Sequence, residues 1–467
     1  MLIERKITIY THKFKKIIHS IDFLELIEYN LFKGGILMKR EILEDLINWK
    51  ESKIRKPLIV HGARQVGKTY IIKEFGKKYY KNLIYVNFQT NTEIGSQIED
   101  SIDAKYIINK LELFYGEKII PEETLIFFDE IQDNERALTS LKYFCEDANE
   151  YHIIAAGSLF GVAMNRKKYS FPVGKVQTLN MYPLSFKEFL VAIGRENLID
   201  EIQKHYKSNE RMDKDIHELC LKLYRTYLII GGMPAALQMY LDENKIISTI
   251  DVQAGILSDY QRDMTKYADN SLSNKIIASF DSIPVQLAKD NQKFQYKVVS
   301  RGGTASIFGE AIDWLKNGGI VNQVYKVNPQ IPLEMYKDLA SFKLYMNDVG
   351  LFVNKAGYPL YQIDLREQPT MISMGPLTEH FVAGELKKKG YELYYWESDG
   401  KAELDFIIQK DEDIIPIEVK TNIHVKARSL DLYIKTYNPR YAIRISEKNF
   451  GFENNIKSVP LYAVFCI

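Results

Sequence analysis

The sequence is poor in cysteine, in net charge and in long apolar runs. Its three cysteines, Cys145, Cys220 and Cys466, are scattered along 467 residues. They have no metal-ligand spacing and form no disulfide framework, which fits a reducing compartment. The formal net charge is +1. No global pull toward nucleic acid or a membrane surface follows from it, and local basic patches stay open. No apolar run is long enough to span a bilayer. Met1-Leu2-Ile3-Glu4-Arg5 carries an acid and lacks a clean apolar stretch, unlike a secretory signal. These absences predict a cytoplasmic protein with no membrane partner. The composition is ordinary for a globular chain, 46% hydrophobic and 26% charged, and the length fits roughly two to four domains.

The stretch that organises the chain is Gly62-Ala63-Arg64-Gln65-Val66-Gly67-Lys68-Thr69. It satisfies the phosphate-loop pattern G-x-x-x-x-G-K-[ST]. Pro57 to His61 before it reads as a buried strand. Tyr70, Ile71, Ile72 and Phe75 after it have helical spacing, with Gly76 as a stop signal. Strand, glycine loop and helix turn backbone N–H groups toward phosphate oxygens and add the positive end of a helix dipole. Lys68 is then expected to reach the β- and γ-phosphates of ATP, and the Thr69 hydroxyl to bind Mg²⁺. Leu125-Ile126-Phe127-Phe128-Asp129-Glu130 is an apolar strand ending in two acids. Asp129 is the expected holder of the Mg²⁺, and Glu130 the expected general base for water. Tyr151 to Ala156 is another buried strand, leading to Gly157-Ser158. Ser158 stands where it senses the γ-phosphate, or is a plain turn serine. Alternating strands and helices predict a parallel sheet with ligand at the strand carboxyl ends.

Residues 1–37 fit poorly with the rest of the chain. They hold an amphipathic pattern, Phe14 to Tyr29, and then Lys33-Gly34-Gly35. Two readings stand side by side: an N-terminal helix, or a mistaken start in which Met38 is the true first residue. From Tyr182 to about Tyr267 the pattern is helical, broken at Gly231-Gly232-Met233-Pro234, and reads as a lid or adaptor. Arg262 is there either a finger across an interface or part of a solvated face. From about Ser282 to Val327 the order suggests a winged helix, with the Ala305 to Lys316 helix closed by Gly318-Gly319. Lys293, Lys297 and Arg301 precede that helix. DNA contact and a protein-interaction wedge both fit.

The last part carries a second chemical signal. Tyr391 to Trp396, Ala402 to Ile408 and Ile414 to Lys420 read as strands, with Lys410-Asp411-Glu412-Asp413 as the turn of a hairpin. A turn centred on Asp411 and Glu412 sets Asp405 opposite Glu418, and period two puts Lys420 on the same face. Two facing carboxylates call for a divalent cation, which activates water toward a phosphodiester, with Lys420 steadying the developing charge. This resembles the D…E-x-K core of PD-(D/E)XK nucleases. Glu379, in Gly375 to Phe381, matches the helical acid of that superfamily. The bland alternative is a solvated strand face.

Jointly, these motifs resemble bacterial and archaeal ATP-binding proteins that join an AAA-type ATPase domain to a C-terminal domain of unknown function. The marks are Arg55 to Thr69, Phe128-Asp129-Glu130-Ile131-Gln132, Gly157-Ser158, Pro183-Leu184-Ser185-Phe186, Gly231 to Pro234, Lys343 to Leu351, and Glu418-Val419-Lys420. The resemblance runs from about Met38 to the end. It implies an α/β multidomain chain: a P-loop NTPase parallel sheet, a helical extension, a winged helix and a restriction-endonuclease-like α/β domain. Gly174-Lys175 stands where the family often has Gly-Arg, so an arginine role there is in doubt. The expected divisions are an extension at 1–37, the ATPase domain at 38–180, the helical adaptor at 181–281, the winged helix at 282–330 and the nuclease-like domain at 331–467. Three functions are compatible with this order: an Mg²⁺-dependent ATPase switch, an ATP-gated nuclease, or a DNA- or protein-binding module that holds ATP structurally. DNA, another nucleic acid, a protein partner or further copies of the chain are the expected associates.

Overall fold

The computed structural model describes residues 38–157, 172–266, 268–360, 363, 374–398, 402–421 and 428–467. The expected N-terminal extension and Ser158 lie outside the described residues.

The first sheet is built from short apolar segments. They are β1 (Leu58–His61), β2 (Asn82–Asn87), β3 (Thr124–Asp129), β4 (His152–Ala156) and β5 (Gln177–Asn180). All neighbours pair in parallel, in the order β2-β3-β4-β1-β5. Parallel strands covered on both faces read as continuous apolar runs, and β3 and β4 are buried at every position. Period two divides them between two cores. Leu58, Val60, Leu125, Phe127 and Ile154 face one core, and Ile59, Ile126, Phe128 and Ile153 face the other.

Gly76 does not end the helix after the loop. That helix runs over Lys68–Tyr79. A Cβ at Gly76 would lie 2.9 Å from Leu83 Cδ1, so this glycine lets the helix lie close to β2.

Helices Phe186–Ala192, Glu196–Ser208, Lys214–Ile230, Pro234–Glu243 and Ser248–Lys266 come next. Ser185 and Glu188 close a capping box on the first. The Gly231-Gly232 break is held from a distance: Asp348 Oδ2 accepts from the Gly232 N–H at 2.6 Å, while Oδ1 accepts from Leu351 N–H at 2.9 Å. A Cβ at Gly232 would meet the Leu184 carbonyl oxygen at 2.1 Å, so a side chain there has no room.

Helices Asn270–Leu287, Tyr296–Val299 and Ala305–Asn317 lead into β6 (Val321–Val327) and β7 (Lys337–Met346). After the Val349–Ala356 and Gly375–Lys388 helices come β8 (Tyr394–Ser398), β9 (Ala402–Lys410) and β10 (Asp413–Val419). The Arg428–Tyr437 helix, β11 (Ala442–Ser446), β12 (Gly451–Glu453) and β13 (Ile456–Pro460) complete the order. These strands form one sheet, β12-β13-β11-β10-β9-β8-β6-β7. β6 pairs antiparallel with β7 and parallel with β8. The sheet therefore runs across the division expected at 330, and the Asn270–Leu287 helix runs across the one expected at 281. The apolar face of the first sheet that carries Val60 belongs to a core continuing through the helices to Ile467. Among the described residues, no helix is long and apolar enough to cross a membrane.

Candidate phosphate-loop site and C-terminal acidic cluster

The loop after β1 has a backbone that glycine permits. Gly62 has φ +149°, and a Cβ there would strike the Met181 carbonyl oxygen at 2.1 Å. Gly67, at φ +97°, begins the Lys68–Tyr79 helix. The buried Lys68 ammonium donates to the carbonyls of Gly62 at 2.9 Å and Ala63 at 2.8 Å. Burial pushes its pKa down to about 8, against the attraction of Glu130 and Asp129. Thr69 Oγ1 donates to Asp129 Oδ2 at 2.8 Å, and the Tyr85 hydroxyl donates to the same oxygen at 3.0 Å. Parallel pairing of β3 with β4 and β2 sets Asp129 beside Ala156 and Asn87. Glu130 takes a left-handed backbone at φ +52° and accepts from Gln132 Nε2 at 2.5 Å. Burial, mainly, raises its pKa. Lys68, Thr69, Asp129 and Glu130 thus converge at the strand carboxyl ends.

A hydroxyl and one carboxylate in contact are a hard-oxygen pair of the kind Mg²⁺ accepts, since that ion keeps several waters and phosphate oxygens. Thr69 and Asp129 fit it.

Downstream residues hold the middle of the loop. Arg64 Nη1 pairs with Asp263, Gln65 Nε2 donates to Asp259 Oδ2 at 2.8 Å, and the Tyr260 hydroxyl donates to the Arg64 carbonyl at 3.3 Å. All three partners lie on the Ser248–Lys266 helix. Arg262 on that helix is exposed and pairs with Asp259 at 2.8 Å. It is the neighbouring acids that reach the loop. Arg40 Nη1 donates to the Val66 carbonyl at 2.8 Å. Gly319, just before β6, lies so near that a Cβ would be 3.0 Å from Ala63 N. A cavity of 830 Å³ opens here, with Gly62, Ala63, Tyr182, Gly319, Tyr325 and Tyr394 among its walls. Arg40, Asp259, Tyr260 and Asp263 escape a sequence reading because each looks like an ordinary helix-surface residue. Lys175 pairs with Glu146 at 2.9 Å, away from the loop residues.

Residues 54–190 match the AAA domain family AAA_14. That segment is similar to this family and has a P-loop NTPase-like fold, a parallel sheet with helices. Residues 221–359 match a domain of unknown function, DUF8612, and residues 374–464 match another, DUF4143. No curated protein matches the chain. Among solved structures, the Walker-type ATPase PABY2304 of Pyrococcus abyssi is similar at 14% identity and TM-score 0.42, over 68% of this chain and 96% of that one. The ORC2 protein of Aeropyrum pernix, in its ADPNP–ADP complexes, is similar at 11% identity and TM-score 0.35, over 73% and 95%. The ORC1 protein of the same organism, solved with DNA, is similar at 12% identity and TM-score 0.29, over 69% and 91%.

In the second sheet, β9 and β10 pair so that Ile417 faces Phe406. One step along this register stand Glu418 and Asp405. Asp405 Oδ2 accepts from the Val419 N–H at 2.6 Å. The buried Glu418 pairs through Oε1 with Lys420, while its Oε2 is buried with no hydrogen-bond partner. Burial, then the charge of Asp405, pushes the Glu418 carboxyl up to about 8 against the pull of Lys420. Glu379, on the Gly375–Lys388 helix, accepts from Gln292 Nε2 at 2.7 Å and lies 3.8 Å from Lys343 Nζ. Burial and Asp405 push it up to about 7. Burial works to lower the pKa of Lys343, yet Glu379, Glu403 and Asp405 hold it raised.

Among the described residues, no three His, Cys, Asp or Glu side chains are grouped as a metal cage. Gln292 and Lys343 engage Glu379, while Asp405 and Glu418 stand on neighbouring strands. The pairing of Lys343 with Glu403 is hidden from a sequence reading: Lys343 is among the motif residues, but a lysine in an apolar strand carries no local sign of burial. Lys293, a candidate DNA contact, pairs with Glu397.

Proposed function

We propose that this protein is an Mg²⁺-dependent ATPase acting as a nucleotide-driven switch coupled to a nuclease-like C-terminal domain. One observation carries the reading: the loop that fits a triphosphate is held by Asp259, Tyr260 and Asp263 and adjoins Gly319 at the foot of the second sheet. ATP draws the Lys68 ammonium from the Gly62 and Ala63 carbonyls to phosphate oxygens. Loop N–H groups take the remaining negative charge. Mg²⁺, when bound, neutralises charge on the β- and γ-phosphates. Thr69 and Asp129 would hold it, and Glu130 would accept the proton of the attacking water. Its raised pKa brings this carboxylate nearer the range useful to a general base. Any shift of the loop loads its contacts with the Ser248–Lys266 helix and Gly319, so nucleotide state reaches the later domains.

In this reading the divisions at 38–180, 181–281, 282–330 and 331–467 are functional parts: ATPase, adaptor, winged helix and nuclease-like end. The sheet joins the last two mechanically. DNA and further copies of the chain are the proposed associates. Ser158 is the proposed γ-phosphate sensor. Purified protein with ATP and Mg²⁺ tests the core claim. Wild type releases phosphate and Lys68→Ala does not; equal turnover in both overturns the site. Tight ATP retention without turnover would favour a structural nucleotide.

A second reading, an ATP-gated metal-dependent nuclease, is favoured by the buried, unpartnered Glu418 Oε2 beside Asp405. That acceptor fits a divalent cation held by Asp405 and Glu418, with Glu379 and Lys420 at its margin. The cation supplies an activated water when bound. Asp405→Ala and Lys420→Ala then abolish Mg²⁺-dependent strand breakage. A wild type that cuts neither DNA nor RNA with any divalent ion, with or without ATP, reduces the domain to an inactive fold.

A further inference from the structure

We infer that Arg40 is the residue that positions the phosphate loop for its anion, acting through the peptide between Val66 and Gly67. Arg40 is 7% exposed, and each of its three guanidinium nitrogens donates a hydrogen bond. Nε donates to Glu188 Oε1 at 2.9 Å, Nη1 to the Val66 carbonyl at 2.8 Å and Nη2 to the Tyr182 carbonyl at 2.6 Å. One planar cation thus joins three separate segments: the phosphate loop, the chain leaving β5 and the Phe186–Ala192 helix.

The second bond does the orienting. A trans peptide is planar, with its C=O and N–H pointing in opposite directions. Pinning the Val66 carbonyl toward Arg40 therefore turns the Gly67 N–H away from it. Gly67 is the last residue before the Lys68–Tyr79 helix, where exposed N–H groups and the helix dipole favour an anion. Its left-handed backbone, φ +97°, is one that glycine adopts without strain. Glu188 fixes the clamp in turn. Its Oε1 also accepts from Glu41 N–H at 2.8 Å, and its Oε2 accepts from Ser185 N–H at 2.8 Å. Lysine cannot replace this arrangement, because an ammonium lacks the planar fork that spans three acceptors.

The inference rests on the proposal that the loop binds a nucleoside triphosphate, and its test separates the two. ADP and ATP binding is measured by calorimetry for wild type, Arg40→Ala and Arg40→Lys, well below each melting temperature. Inorganic pyrophosphate serves as the probe without a nucleoside. Arg40→Lys keeps a cation opposite Glu188 and guards against a variant that fails to fold. Both variants are expected to bind ADP about tenfold or more weakly, the scale of one charge-assisted hydrogen bond lost to phosphate. Pyrophosphate should weaken by the same factor, because the loss falls on the phosphates. Wild-type affinities in folded variants, or a lower melting temperature alone, overturn the positioning role. A loss confined to nucleosides, with pyrophosphate unchanged, overturns it as well. A wild type that binds no nucleotide sinks the phosphate-loop proposal itself, and this inference with it.

Discussion

Nucleotide binding should be accompanied by proton uptake at Lys68. The ammonium lies against the Gly62 and Ala63 carbonyls, and burial holds its pKa at about 8 rather than 10.5. At pH 8 about half of the molecules therefore carry a neutral Lys68. A triphosphate brings anionic charge to that group and restores the ordinary lysine value or more. Binding at pH 8 then takes up about 0.5 proton, and binding at pH 7 only about 0.1. Calorimetric titration with ATP at both pH values, in two buffers of different ionisation enthalpy, measures the difference. Lys68→Arg is the control, since a guanidinium does not titrate there. Bound ATP with the same heat in both buffers at pH 8 refutes the reasoning. The shift also sets a stability trend in the nucleotide-free protein. The folded value lies below the unfolded one, so from pH 8 to 10.5 the unfolded chain binds more protons. The Lys68 contribution to stability rises across that window. Below it, charge burial costs about 3 kcal/mol.

Further outcomes are open to measurement. Glu130→Gln keeps ATP binding and lowers phosphate release by about 100-fold or more, the range of a lost general base. Gly319→Val, at φ +68° and facing Ala63 N, destabilises the chain by more than about 1 kcal/mol in thermal melts and weakens ATP binding. Glu418 has its folded pKa raised from 4.5 to about 8, so its contribution to stability is complete below 4.5 and is lost as the pH rises through 8. The melting temperature of Glu418→Gln, relative to wild type, therefore increases from pH 5 to pH 8.5. Mn²⁺ raises the melting temperature of wild type at pH 8 by more than that of Glu418→Gln.

What was legible in the sequence was local. The phosphate loop could be read because strand, glycines, lysine and helix succeed one another without interruption. The Asp405–Glu418 register could be read because a tight turn ties two adjacent strands. The residues that hold the loop from outside could not be. Asp259 and Asp263 sit on a helix whose exposed positions are charged in any case. Arg40 lies two residues before the Ile42–Glu51 helix, where its burial leaves no periodic trace. Gly76 looks like a helix stop, yet it serves close packing against Leu83. The domain divisions failed to show the continuity of the second sheet because β6 meets β8 in parallel, with β7 and helices between them in sequence. Nothing in either segment announces the other.

That pairing has a practical consequence for anyone dissecting the chain. β6 lies between β7 and β8, so an expression fragment beginning at 331 loses an interior member of the sheet. It leaves two raw hydrogen-bonding edges, and such edges recruit other chains. A fragment of this kind should precipitate or swap strands, and its failure to bind anything would say little about the intact molecule. Dissection is better begun upstream of the Asn270–Leu287 helix, where the last segment keeps its own lateral support.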